Sequence, residues 1–197
     1  MKFSYLLGLF LLIATPALAQ QPALRPLPTG FHSGSYHLLN GDWQRAKIGY
    51  DTQSLRVSDK DHKPEAPLLY SAESVRAFVI GRDTFSVARE VDIPRPAQHF
   101  AALFVRQLYR RGGFQVSEYV ALPPAPEPPQ VYTVLVAPGQ PATVLPPGKV
   151  GFRLALAKAV RDFEVLAHQL ELDPTIMPVQ LPEILTAYGN WKANQGK

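Results

Sequence analysis

The chain predicts an α+β fold: an antiparallel β-sheet, with the option of curling into a partial barrel, followed by two C-terminal α-helices. Three observations carry this. Between Phe31 and Val91, short apolar runs alternate with turn residues, the pattern of an antiparallel meander. Asn40-Gly41 lies between two of those runs, and Asn-Gly tolerates the positive φ that a two-residue hairpin turn needs. From Phe152 onward the apolar period lengthens to three and four, the spacing of a helix face.

The first nineteen residues read as a secretory leader. Lys2 supplies the positive start and Tyr5 to Ile13 the apolar stretch. That stretch falls well short of the ~20 apolar residues that span a bilayer. Pro16 breaks the run, and Ala17-Leu18-Ala19 places small residues at the −3 and −1 positions of a signal-peptidase site. Cleavage between Ala19 and Gln20 is expected, giving a periplasmic or secreted protein without a transmembrane segment. No cysteine occurs in the 197 residues. This excludes a lipid-anchored N-terminus, disulfides and a thiolate metal site. Packing alone must hold the domain.

Residues 20–30, rich in proline, read as an extended lead, and residues 31–192 as one α+β domain. Ser35–Leu39 and Trp43–Tyr50 form the first predicted hairpin. Leu55–Val57 and Leu68–Tyr70 follow, flanking the polar loop of residues 59–67. Ser71 opens one helical turn, and Val75–Ile80 then pairs with Thr84–Val91 across Gly81-Arg82-Asp83. Residues 100–111 admit two readings. As a helix, Phe100, Leu103, Phe104 and Leu108 share a face. As a strand, Val105–Tyr109 pairs with Phe114–Val120. The β character of both flanks favours the hairpin. Residues 123–129 form a stiff connector, taken as a loop inside the domain because Val131–Ala137 needs an upstream strand to pair with. A single helix is expected over Phe152 to Leu170, with Arg153, Lys158, Arg161, Glu164 and His168 off its apolar stripe, ending at Asp173-Pro174. A shorter helix runs from Pro182 to Trp191, with Trp191 docking into the core near Phe163 or a sheet face. Residues 193–197 should fray.

With these elements in place, the chain resembles a diffuse group of exported, functionally uncharacterised proteins of Gram-negative bacteria. Three stretches carry the likeness: Gly41 through Tyr50, Tyr70 through Phe78, and Leu181 through Asn190. At the last, Gly189 separates a Tyr and an Asn that are adjacent in the group's pattern. The resemblance implies export and architecture; it implies no activity and no site residue.

The chemistry-bearing motifs narrow the choice further. No G-x-S-x-G elbow, phosphate-binding glycine loop or H-E-x-x-H helix occurs. The five histidines are scattered, so no metal site and no cofactor are expected. Asp59, Asp61, His62 and Glu65 share one loop, but Lys60 and Lys63 offset them, the composition of a solvated turn. The net charge of +4 suits weak attraction to anionic surfaces and lacks the dense basic stripe of a nucleic-acid binder. The ligand-binding candidates are Arg106, Tyr109, Arg110 and Arg111, with Phe114 nearby, because guanidinium beside aromatic rings suits phosphate, carboxylate or glycan. The expected function is a non-enzymatic binding or accessory module of the cell envelope, with an envelope protein or an anionic glycan as partner. The competing classes are a hydrolase assembled from loops and a purely structural accessory protein.

Overall fold

A computed structural model describes residues 26–95, 97–122, 126, 128–137 and 140–195. The leader and its cleavage site lie outside these residues, as does most of the proline-rich connector. Ten antiparallel strands form one open sheet: β1 (His32–Leu38), β2 (Trp43–Tyr50), β3 (Ser54–Ser58), β4 (Leu68–Ser71), β5 (Val75–Ile80), β6 (Asp83–Pro94), β7 (Ala97–Arg111), β8 (Phe114–Ala121), β9 (Gln130–Val136) and β10 (Thr143–Leu145). The order across the sheet is β10-β9-β8-β7-β6-β5-β1-β2-β3-β4. Its edges, β10 and β4, do not meet, so the barrel option is corrected to an open sheet. Residues 100–111 are strand, as the hairpin reading holds. Arg111 faces Phe114 across the turn, and Gly112 and Gly113 adopt φ of 59° and 83°, values that L side chains rarely reach.

The sheet curls in two senses. In its N-terminal half, Tyr36, Ile48, Leu55, Val57, Val75, Phe78, Phe85 and Phe104 form one core on one face. The β2–β3 turn returns to β7, where the Phe104 N–H donates to the Thr52 carbonyl at 2.9 Å. In its C-terminal half the opposite face is enclosed, by Ala88, Leu103, Val105, Tyr119, Tyr132 and Val134. There the chain before β10 returns to β6, the Ala142 N–H donating to the Arg89 carbonyl at 3.0 Å. Strands β6 and β7 are thus buried on both sides, as neighbours in sequence such as Leu103 and Phe104 point into different cores.

Three helices, not two, cover the remaining apolar face of β8–β10: α1 (Lys149–Ala159), α2 (Glu164–Leu172) and α3 (Leu181–Gln195). The single predicted helix over 152–170 breaks at residues 160–163. Its stripe has one period throughout, but folding back lets α2 bury Leu166 and Leu170 in the core that already holds Phe152, Leu156 and Val160. Arg153 joins the two helices. Its Nη1 donates to the carbonyls of Asp173 at 2.7 Å, Glu171 at 3.3 Å and Leu170 at 3.5 Å, satisfying the open C-terminal end of α2. This arginine was placed off the stripe, yet it is 9% exposed. Helix α3 continues through Gln195, four residues past the Trp191 end expected for it, and residues 196–197 lie outside the described residues. Trp191 stacks on Phe163, with ring centroids 4.6 Å apart at 4°.

Gly189 has a steric reason. A Cβ there would sit 2.7 Å from the Gly112 Cα, and one on Gly112 would sit 2.1 Å from the Leu185 carbonyl oxygen. The β7–β8 turn and α3 therefore touch backbone to backbone, which only a pair of glycines allows.

Candidate functional site

The four predicted ligand residues share a strand and diverge in space. Arg106 is 4% exposed. Its Nε donates to Glu118 Oε1 at 2.7 Å, its Nη2 donates to the same oxygen, and its Nη1 reaches Asp83 Oδ2 at 3.5 Å. Register explains the charge match: Arg106 faces Glu118 on β8 and Phe85 on β6. This buried group lies between the aromatic core and the helix-covered core, so it joins the halves and presents no charge to a ligand. It also acts on Tyr50, whose hydroxyl has no hydrogen-bond partner among the described residues. Burial drives the Tyr50 phenol well above its ordinary range; the Arg106 cation opposes that shift, and Asp83 and Glu118 add to it.

A register shift between Gln107 and Tyr109 then redirects the strand. Tyr109 packs half-buried beside α3. Burial raises its phenol, Arg111 lowers it and Glu183 of α3 raises it. Arg111 closes the hairpin in solvent, and Phe114 is buried against Tyr188, with centroids 5.5 Å apart. Arg110 alone of the four lines a cleft.

That cleft has a volume of about 690 Å³, within the size range of small-molecule sites. It opens where the chain before β10 returns to β6. Arg89, Glu90 and Val87 of β6, Arg110 of β7, Gln115 of β8 and Gln140 are among its walls. Its polar wall is organised. The Gln115 amide donates to Ser86 Oγ at 2.6 Å and Ser117 Oγ at 3.1 Å, which leaves Gln115 Oε1 to accept from Arg110 Nη2 at 3.3 Å. The amide orientation is thereby set, and Arg110 is held at the rim. Arg89 leans the other way, its Nη2 donating to the Glu73 carbonyl at 3.4 Å. Glu90 holds φ of 50° inside a strand, a backbone state that is costly for a residue with a Cβ. The lining thus combines the Arg110 guanidinium and a fixed amide with residues Arg89 and Glu90 of β6. Arg89, Glu90, Gln115 and Gln140 were absent from the sequence-based candidates. They come from three parts of the chain, Arg89 and Glu90 from β6, Gln115 from β8 and Gln140 from the stretch before β10, which the folded sheet brings together.

The acidic loop is accounted for locally. Asp59 Oδ1 accepts from the N–H groups of Asp61 at 2.9 Å and His62 at 2.8 Å, and contacts His62 Nδ1 at 3.1 Å. Those bonds, the Asp61 N–H first, hold its carboxyl below the ordinary value. Among the described residues, no three His, Cys, Asp or Glu side chains are placed to hold a metal ion.

These features define an α+β protein built on an open ten-stranded antiparallel sheet with a cationic cleft at one end. Comparison with known protein families, curated proteins and solved structures finds no match to this chain.

Proposed function

We propose that the chain is an exported, non-catalytic binding module of the bacterial envelope, and that its cleft seats a small organic anion. One observation carries the reading: Arg110 is held at the cleft rim by a Gln115 amide locked by Ser86 and Ser117. A planar guanidinium fork matches a carboxylate or phosphate in two parallel hydrogen bonds, and a site held ready in advance loses less entropy on binding. The leader pattern and the resemblance to exported Gram-negative proteins support the location. Glu90 supplies the lining's carboxylate, and its Oε2 lies 3.5 Å from His99 Nε2 with both side chains more than half exposed, a solvated pair rather than an enclosed acid–base site.

The test is calorimetry and thermal melting with uronic acids, citrate and inorganic phosphate. A ligand that binds the folded state raises the melting midpoint by linkage. Saturable binding that disappears in Arg110→Ala, with the ligand-free midpoint unchanged because Arg110 is exposed, is the expected result. Turnover of an ester or glycoside at this cleft, abolished by Glu90→Gln, would replace the binding module with an enzyme.

A further inference from the structure

A second surface lies far from the cleft in sequence and on different strands. Along β2, Trp43, Arg45 and Lys47 occupy alternate positions and therefore project from one face of the sheet, about 7 Å apart in steps of two residues. Their partners on β1 are His37, Ser35 and Ser33. On β3, Ser58 faces Lys47 and Arg56 faces Gly49. This face turns away from the aromatic core, into which Ile48 points. It carries no carboxylate at any of these register positions. Among the described residues, no acid pairs with Arg45, Lys47 or Arg56.

Trp43 is 51% exposed, and its ring is held in place. His37 stacks against it with centroids 5.3 Å apart at 33°. The imidazole is anchored in turn, its Nε2 donating to the Gly41 carbonyl at 2.8 Å. Arg56 sits over the Phe31 ring, 5.5 Å from its centre, which keeps that cation on the same face. The result is an anchored aromatic plate followed by a row of cations and hydroxyls on the outer face of the sheet.

We infer that this face of β1–β3 docks an anionic polysaccharide. The plate suits the C–H face of a sugar ring. The cations suit carboxylate or sulfate groups repeated along a chain, and the serine hydroxyls suit ring hydroxyls. A sugarless polyanion would use only the cations, and a neutral glycan only the plate. The occupant that uses all three is a charged glycan.

The probes are polygalacturonate, neutral dextran, polyphosphate and phosphatidylglycerol vesicles, each titrated into the purified protein with calorimetry as readout. Polygalacturonate should bind, and its affinity should fall as salt rises, because cation contacts release counterions. Trp43→Ala should weaken polygalacturonate by about tenfold or more, the loss expected for an aromatic contact of this size, and leave polyphosphate unchanged. The double change Arg45→Gln with Lys47→Gln should weaken both. Because these side chains are exposed, the melting midpoints should match the parent. Arg110→Ala should leave polygalacturonate binding intact, so failure of the cleft reading and failure of this one are separable. Equal affinity for polyphosphate and polygalacturonate, insensitive to Trp43→Ala, would reduce the face to a nonspecific cationic surface. Tighter binding to the vesicles would make it a membrane contact. No polygalacturonate binding at all, or binding abolished by Arg110→Ala, would overturn the proposal.

Discussion

The two halves of the sheet enclose their cores by different means. The N-terminal half uses curvature and aromatic rings. Phe78 stacks on Phe85 with centroids 4.7 Å apart at 9°, meets Phe104 edge-on at 5.0 Å, and has Tyr50 at 5.1 Å. The C-terminal half disperses its rings among aliphatic side chains and needs two covers: its own curl on one face and three helices on the other. Large flat rings fill the space inside a curled sheet with few residues, whereas the shallower face over Phe114, Val116 and Leu135 must borrow Leu156, Leu170 and Leu185 from helices. A half that closes on itself should lose everything when one ring is removed. A half covered by separate elements should come apart in layers.

The largest expected effect tests that contrast. Phe78→Ala and Leu185→Ala each remove a side chain with no solvent exposure, at a cost of about 3–5 and 2–5 kcal/mol respectively. Thermal melting should show both losses. Hydrogen exchange should separate them: Phe78→Ala should expose β1 through β7 together, while Leu185→Ala should expose α1–α3 and leave β1–β5 protected. Uniform loss in both variants would mean the halves are a single cooperative unit.

Next comes the junction. Arg106→Met leaves Glu118 and Asp83 buried without their cation, and breaking a buried pair from one side costs about 3–5 kcal/mol. Combining it with Glu118→Leu should recover much of the midpoint in a melting experiment, since the apolar pair removes the more deeply buried charge and leaves only Asp83, which is 20% exposed. If the double variant melts no higher than the single one, the junction does more than balance charge.

Trp191 should matter less than a fully buried residue, because it is only partly covered. It stacks on Phe163 and also neighbours Tyr188, 5.8 Å away. Trp191→Ala should lower the melting midpoint by about 3–6 °C, as expected for roughly 1–2 kcal/mol in a domain of this size. Lys192→Ala should lower it less, since that side chain is exposed and its contacts, a 3.1 Å bond to the Tyr188 hydroxyl, a place 5.3 Å over the Tyr188 ring and a 3.6 Å ion pair with Asp162, are solvent-screened. Matching midpoints for the two would show that the end of α3 is an appendage.

The smallest effect is electrostatic. The hydrogen bond from His99 to Asp92, at 2.8 Å, raises the imidazole above its ordinary value of 6.5, with the charges of Asp92 and Glu90 adding to it. A raised value in the folded state stabilises the fold fully below the ordinary value, and that contribution is lost as pH rises through the raised one. His99→Gln should therefore flatten the stability profile just above neutral onset while leaving it unchanged at high pH. Melting scans across that range check this, and an unaltered slope would show that the exposed pair is screened away.

Legibility followed range along the chain. Strand and turn assignments rested on neighbours, so Asn40-Gly41, Gly81 and Gly112-Gly113 marked hairpins that the sheet contains, although residues 39–42 make the first turn without the positive φ expected at Asn40-Gly41. The Trp191–Phe163 contact was readable because both lie on apolar stripes. The helix break at 160–163 was not, since its stripe keeps one period and the gain from folding back appears only against β10 and α3. Arg153 was misplaced for the same reason: its partners are carbonyls about twenty residues ahead. The arginine patch dispersed because one register shift in β7 and one carboxylate on β8 assign Arg106, Tyr109 and Arg110 to different surroundings.

By itself, then, the amino-acid sequence determined the antiparallel meander, the change to helix after Phe152 and the absence of disulfide support, since turns, periodicity and composition act over a few residues. The tertiary structure decided that the sheet curls in two senses, that β6 and β7 are buried twice, and that Arg110 meets Gln115 at a cleft while Arg106 is sealed beside Glu118. Those outcomes depend on pairings between segments separated by tens of residues, where packing and charge satisfaction outweigh local preference.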